Sequence, residues 1–265
     1  NSRISLSNND GGAHNTIFGS LAGAVLTTNG DYNVLIGKDV GNDMTTGTEN
    51  TLIGSGCGDV MTIARYNCAM GAGTLGAEDV GDSTTAFGYS VFANQNSDSN
   101  NEVTYNTGVG YQAGYYNVTG QENTWLGHRA GFGASGQSNS ENTAVGTRAM
   151  EDVTTGGLNV AVGKYALNSL TDGDENTAVG RNAGAALTTG HRNIIIGTNA
   201  GDAITSEDDC VLIGKDAGGA LTHTDSNGTV AIGSSALAAL TSGIGNVAIG
   251  FNSGKALTTG GKNVA

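Results

Sequence analysis

Three cysteines, two pairs of aspartates and a run of aromatics are the residues of this chain that could do chemistry. Cys57, Cys68 and Cys210 are too few and too far apart for a four-ligand zinc site, and no pair has C-x-x-C spacing. Each sits where the chain elsewhere places Ala, Thr or Asn, so a small packed thiol is the plainer reading. Asp43 with Asp59, and Asp202 with Asp216, would be neighbours if the chain were wound into stacked turns. Glycosidic cleavage uses such paired carboxylates, but nothing in the sequence singles these out. The acidic stretches Glu207-Asp208-Asp209, Asp172/Asp174/Glu175 and Glu78-Asp79 have the spacing of solvated turns, and the G-G-x-G-x-D signature of calcium-binding rolls is absent. G-x-G-x-x-G occurs at Gly71–Gly76 and Gly131–Gly136, as expected by chance in a chain with 45 glycines, and neither opens a helix. No H-E-x-x-H, G-x-S-x-G or Walker motif is present. The expectation is a protein that is not an enzyme, with no metal and no cofactor.

The aromatics are the better lead. Tyr105, Tyr111, Tyr115 and Tyr116 are half of all eight tyrosines and crowd one short stretch with Trp125, His128, Arg129 and Phe132. A ring with a polar tip suits a sugar or a protein surface. Tyr105, Tyr111, Tyr115, Tyr116, His128 and Arg129 are therefore the candidate ligand-binding residues, for a host-surface glycan or protein; the alternative is that these aromatics pack the inserted loop down.

What must position these residues is a repeat. The chain reads N-T-A-V-G-x-x-A-x-x-x-L-T-T-G-x-x with a period of seventeen, clearest at Asn159–Gly163, Asn176–Gly180, Asn193–Gly197 and Asn246–Gly250. A fixed period of this length marks a solenoid, whose units bury their apolar residues only against neighbours. The phase slips four times, most at the 22-residue interval from Gly88 to Gly110, and resumes each time. Insertions therefore leave the coil as loops. The reading is a lead-in over 1–14 and a continuous solenoid of about fourteen coils over 15–265, with an inserted loop at 94–105. Proline is absent, as stacked strands require.

Numbering each repeat from its asparagine, positions 2 to 4 are apolar and β-prone. Residues 2 and 4 of a strand share one face and residue 3 the other. A strand apolar on both faces is covered on both, so one face packs within the coil and the other against a second chain, with a second internal layer of the same chain as the rival. Position 3 (Ile17, Leu35, Leu52, Trp125, Ile195, Leu212) is assigned to that interface. Asn15, Asn33, Asn50, Asn159, Asn176, Asn193 and Asn246 at position 1 are expected to bond coil to coil as an amide ladder. Gly19, Gly37, Gly54, Gly163, Gly180, Gly197 and Gly250 at position 5 are expected to need positive φ or room for close backbone approach.

The net charge of −13 disfavours nucleic acid and anionic membranes as partners, and no apolar run is long enough to span a bilayer. The chain has no initiator Met or signal peptide and stops three residues into another repeat, so it reads as a piece of something longer.

The N-T/V-A-V/I-G-x-x-A unit resembles the N-T-A-V-G repeats of bacteriophage tail fibres and the YadA-like head repeats of trimeric autotransporter adhesins, over nearly the whole chain. The resemblance implies a left-handed parallel β-roll assembled as a homotrimer, located in the virion or at the cell surface. It further implies a structural, receptor-engaging tail-fibre segment for host attachment. A bacterial adhesin or extracellular filament subunit is the first alternative and a polysaccharide-degrading tailspike the second. The seventeen-residue period is longer than the adhesin unit.

Overall fold

The computed structural model describes residues 3–5, 12–100, 102–222 and 226–265. Parts of the 1–14 lead-in and Asn101 of the insert lie outside them. The chain is an all-β, parallel β-solenoid in two compact units, Asn1–Ser138 and Asn139–Ala265. The first holds β1 (Arg3–Ser5), β2 (Thr16–Gly19), β3 (Val34–Ile36), β4 (Thr51–Ile53), β5 (Cys68–Met70), β6 (Thr85–Phe87), β7 (Thr107–Val109) and β8 (Thr124–Leu126). The second holds β9 (Thr143–Val145), β10 (Val160–Val162), β11 (Thr177–Val179), β12 (Ile194–Ile196), β13 (Val211–Ile213), β14 (Val230–Ile232) and β15 (Val247–Ile249). Within each unit, β2 to β8 and β9 to β15 pair parallel and in register, position on position. β1 differs: it pairs antiparallel with β2, Arg3 opposite Gly19 and Ser5 opposite Ile17. It covers the first edge strand, which would otherwise present a row of unpaired backbone groups.

The strands show which apolar face is inside, and it is not the one assigned from the sequence. Ile17, Leu35, Leu52, Trp125, Ile195 and Leu212 are all fully buried within the single chain. A side chain with no accessible surface in one copy cannot line an interface with another. Position 3 is the core, and positions 2 and 4 point outward. The alternation was read correctly, but periodicity alone carries no sign: it separates two faces without saying which is inside.

Position 5 closes each strand. Its glycines have φ between 129° and 143°, a region closed to side-chain-bearing residues. A Cβ at Gly163 would also lie 2.4 Å from the carbonyl oxygen of Gly180 in the next coil. Conformation and space both demand glycine there.

The asparagines form a buried ladder. Asn176 donates Nδ2–H to Asn159 Oδ1 (3.1 Å) and to the Gly190 carbonyl (2.7 Å), and its own Oδ1 accepts from the backbone N–H of Asn193 (3.0 Å) and from Asn193 Nδ2 (2.9 Å). The same pattern joins Asn15, Asn33 and Asn50, and it links Asn246 to Asn263. Where position 1 is Thr84 or Cys210, the backbone N–H still bonds the preceding asparagine.

Inside the coil, positions 3 and 9 divide one volume. Large residues at position 3 face glycine at position 9: Ile17 with Gly23, Leu35 with Gly41, Leu52 with Gly58, Trp125 with Gly131, Ile195 with Gly201 and Leu212 with Gly218. Where position 3 is alanine, position 9 often supplies the bulk: Ala69 with Leu75, Ala86 with Phe92, Ala144 with Met150, Ala161 with Leu167 and Ala231 with Leu237, all buried. Those five large residues adopt φ between 47° and 53°, a left-handed conformation costing about 1 kcal/mol or more. Burying a large apolar side chain returns about 1.5–3 kcal/mol. Three coils are small at both positions and are filled from next door. A Cβ at Gly184, beside Ala178, would lie 2.8 Å from Ile195 Cδ1 and 2.9 Å from Leu167 Cδ2.

Two insertions are each met by a buried glutamate in the coil before. In regular coils the N–H of position 13, joined in some by those of positions 14 and 15, bonds the position 13 carbonyl of the next coil, as Thr154, Thr155 and Gly156 do with Thr171 (2.8, 3.2 and 3.1 Å). An insertion displaces that carbonyl. Before the 94–105 insert, Glu78 stands at position 12, where most other coils have Leu or Met. Its carboxylate accepts from the N–H groups of Val80 (3.2 Å), Gly81 (2.6 Å) and Ser97 (3.3 Å), from Gln95 Nε2 (2.8 Å) and from Ser97 Oγ (3.2 Å). Gln95 continues the network to Thr84 and Asn106. Glu207 does the same before the later insertion, accepting from the N–H groups of Thr205 (2.6 Å) and Ser206 (2.9 Å). A buried carboxylate thus replaces the missing ladder acceptor.

Candidate functional site: an aromatic ladder and an outward apolar face

The six predicted ligand-binding residues fall into three places. Tyr105 is exposed at position 17 with φ 50° and, among the described residues, makes no ring contact with the others. Tyr115 and Tyr116 pack around Phe132, Tyr115 stacked on it (5.3 Å, 13°) and Tyr116 edge-on (5.1 Å), with the Arg129 guanidinium 3.9 Å over the same ring. These rings secure one another at positions 10 and 11 and are half-buried. Tyr111 and His128 occupy position 6 of consecutive coils and stack at 5.4 Å and 10°.

A seventh residue completes that stack. Tyr89, at position 6 of the coil before, lies on Tyr111 at 5.3 Å and 9°. The result is a three-ring ladder, Tyr89–Tyr111–His128, exposed along its edge. Sequence reading missed Tyr89 because it stands before the insert, 22 residues from Tyr111. Phase counting would have found it, since both follow the position 5 glycine directly. The ladder also changes what Tyr111 can do: both of its faces are taken by neighbouring rings.

The second feature is the outward rank of positions 2 and 4. In the second unit it runs Thr143/Val145, Val160/Val162, Thr177/Val179, Ile194/Ile196, Val211/Ile213, Val230/Ile232 and Val247/Ile249, without a charge. Ile194 is 42% exposed and Ile196 37%. In the first unit the same rank carries Phe18, Met70 and Leu126, each exposed by more than two-fifths. A contiguous apolar face of this kind is a candidate contact surface.

The carboxylate pairs are neighbours, as winding requires. Asp59 is held above the usual carboxylate range by burial and then by the charges of Asp43 and Asp39; Asp202 is raised by burial and then by Asp216. Asp216 itself is lowered by Lys215 and Asn199. Exposed Asp209 is lowered by its hydrogen bonds with Arg192 (2.7 and 3.1 Å). Among the described residues no three His, Cys, Asp or Glu side chains gather as a metal site would need, and no helix is long and apolar enough to cross a membrane.

The thiols differ in kind. Burial pushes Cys57 up to about 12 and Cys210 up to about 11. Cys68, at position 2 of β5, is half-exposed on the outward apolar face. No protein-family model, curated protein or solved structure gives a significant match to the chain.

Proposed function

We propose that this chain is a structural segment of an extracellular fibre that engages a host surface, of the kind found in bacteriophage tails, and that it assembles as a homotrimer. The observation that carries the reading is the uncharged apolar rank of positions 2 and 4. It repeats once per coil, so it calls for a partner with the same spacing. A second and third copy of the chain, aligned in register, present that spacing. The N-T-A-V-G unit resembles fibre repeats, and the net charge of −13 keeps copies of the chain apart except along this face. In a trimer, each surface loop is displayed three times, and weak contacts add through effective concentration.

Sedimentation equilibrium tests the assembly. The expected mass is three times the 26.4 kDa of the chain, falling to one for Ile194→Asp combined with Ile196→Asp. Cys68 supplies an internal check: its alkylation is expected to be slow in the assembly and fast in the dissociated variant. A wild-type monomer with a freely reactive Cys68 would remove the trimer. The attachment role is tested by binding of the labelled chain to a panel of whole bacterial cells; binding to none removes it.

A further inference from the structure

The first unit has a step in its surface that ends on an open tyrosine face. Positions 6 and 7 follow the corner glycine and start the next side of each coil. Read along β3 to β8, they are Lys38-Asp39, Ser55-Gly56, Ala72-Gly73, Tyr89-Ser90, Tyr111-Gln112 and His128-Arg129. The coils of β4 and β5 are therefore low, and those of β6 to β8 are high. A Cβ at Gly56 would meet nothing within 4 Å, and one at Gly73 would meet only Ser90 Oγ, at 3.3 Å. The floor is fixed: the N–H groups of Gly56, Gly73 and Ser90 donate to the carbonyls of Lys38 (2.9 Å), Ser55 (3.0 Å) and Ala72 (3.0 Å).

Tyr89 is the riser of this step. One of its faces is covered by Tyr111, which is covered in turn by His128, so the ring is held upright. Its other face is directed toward the preceding coil, where position 6 is Ala72, and the residue is 53% exposed. The opposite wall is the Lys38–Asp39 ion pair (2.5 Å). It lies three coils away, about 14 Å at the usual strand spacing. The site is thus a rigid aromatic face over a small-residue floor, with the Ser55 and Ser90 hydroxyls and a paired carboxylate around it.

We propose that the open face of Tyr89 binds a neutral sugar ring of a surface glycan. A pyranose has a C–H face that can lie on an aromatic ring and a rim of hydroxyls that needs donors and acceptors, and the step offers both. An acidic glycan is disfavoured by the net charge of −13. A cationic peptide could also be drawn to a tyrosine face. The floor beside Tyr89 carries no carboxylate, however, and Asp39 is already paired with Lys38. The inference deepens the attachment reading by naming its ligand class and moving the contact from Tyr105, Tyr115 and Tyr116 to Tyr89.

The test is saturation-transfer NMR on the full chain with cellobiose, maltose, lactose and N,N′-diacetylchitobiose as probes, with a lysine-rich peptide as control. Transfer to at least one neutral disaccharide is expected, with affinity reduced tenfold or more by Tyr89→Ala and unchanged by Tyr105→Ala. Ala72→Tyr extends the ladder by one ring and fills the step, so it should fold and block binding to the same degree. No transfer from any disaccharide, binding indifferent to both Tyr89→Ala and Ala72→Tyr, or Tyr89-dependent binding of the lysine peptide alone would each overturn the site. Whole-cell binding is scored separately. Cell attachment intact in Tyr89→Ala sinks the sugar site and spares the attachment reading; sugar binding without any cell attachment does the reverse.

Discussion

The Trp125 indole occupies the space that a side chain on Gly131 would need: a Cβ there would lie 2.3 Å from the ring. The two are six residues apart on opposite sides of one coil. Ala161 and Leu167 stand at the same two positions with the sizes exchanged, both buried.

Coupled substitutions test this shared volume. Trp125→Ala should cost about 3–5 kcal/mol, and Gly131→Leu alone about 1–3 kcal/mol or more through overpacking and its left-handed backbone. The double variant should be better than the sum by at least about 1 kcal/mol. Urea unfolding of the four proteins gives the coupling directly, and strictly additive costs would show that the positions do not share space.

The asparagine ladder predicts unequal substitutions at one site. Asn176→Ala strands the Gly190 carbonyl and the Asn193 amide in a buried position. A loss of about 2–4 kcal/mol is expected from groups left without partners. Asn176→Thr should lose less, because Thr84 and Thr229 occupy this position in other coils and Thr229 Oγ1 bonds the Ser226 carbonyl at 2.6 Å. Thermal unfolding midpoints rank the two; equal losses would argue that the threonine hydroxyl recovers none of the amide's bonds, and no loss in either variant that the amide contributes nothing.

Glu78→Leu would restore the residue type the repeat prefers and should still be harmful. The change leaves the Val80 and Gly81 amides and the Ser97 side chain without their acceptor. Faster amide exchange is expected from 94 to 105 and across Val80 and Gly81, with the other coils of that unit slower to change. Uniform loosening of the unit, or none, would contradict the proposed role of the carboxylate as a stand-in for a ladder carbonyl.

The buried thiols fix a direction of pH dependence. Cys57 is raised from 9.0 to about 12 and Cys210 from 9.0 to about 11. Their folded pKa values exceed the unfolded ones, so their contribution is complete below pH 9 and is lost as pH rises toward 11 and 12. Each should remove up to about 1.4 kcal/mol per pH unit in that window. Stability measured from pH 8 to 11 should fall less steeply for Cys57→Ala than for the wild type, after allowing for its lower starting point. An unchanged slope would count against ionisation of this thiol on unfolding.

The period, the strand positions and the glycine corners were legible because each is a local demand repeated many times. A glycine that must hold φ near 140° in every coil leaves an unmistakable comb in the sequence. The direction of the strand was not legible, because Ile195 and the flanking Ile194 and Ile196 are chemically alike and only the turn geometry chooses which one faces in. Position 9 held the missing information: glycine there coincides with every large residue at position 3, a correlation that makes sense only if both are inside. Tyr89 was hidden by distance along the chain, and the open face of its ring by the need to know that Tyr111 lies on the other side.

The sharing of volume between positions 3 and 9 also bears on how such a chain can change length. A coil such as Leu52–Gly58, where Gly58 is faced by Leu52 and Met61 of the same coil, fills its own interior. A gene that gains or loses it whole, by recombination between its near-identical stretches, would still encode a packed core. The coils holding Gly108/Gly114, Ala178/Gly184 and Ala248/Gly254 are different, because Phe92, Trp125, Leu167, Ile195 and Leu237 reach in to fill them. Excising a neighbour of one of these leaves a hole and duplicating one leaves two. Inheritance of length should therefore proceed in whole coils, with breakpoints that avoid these three.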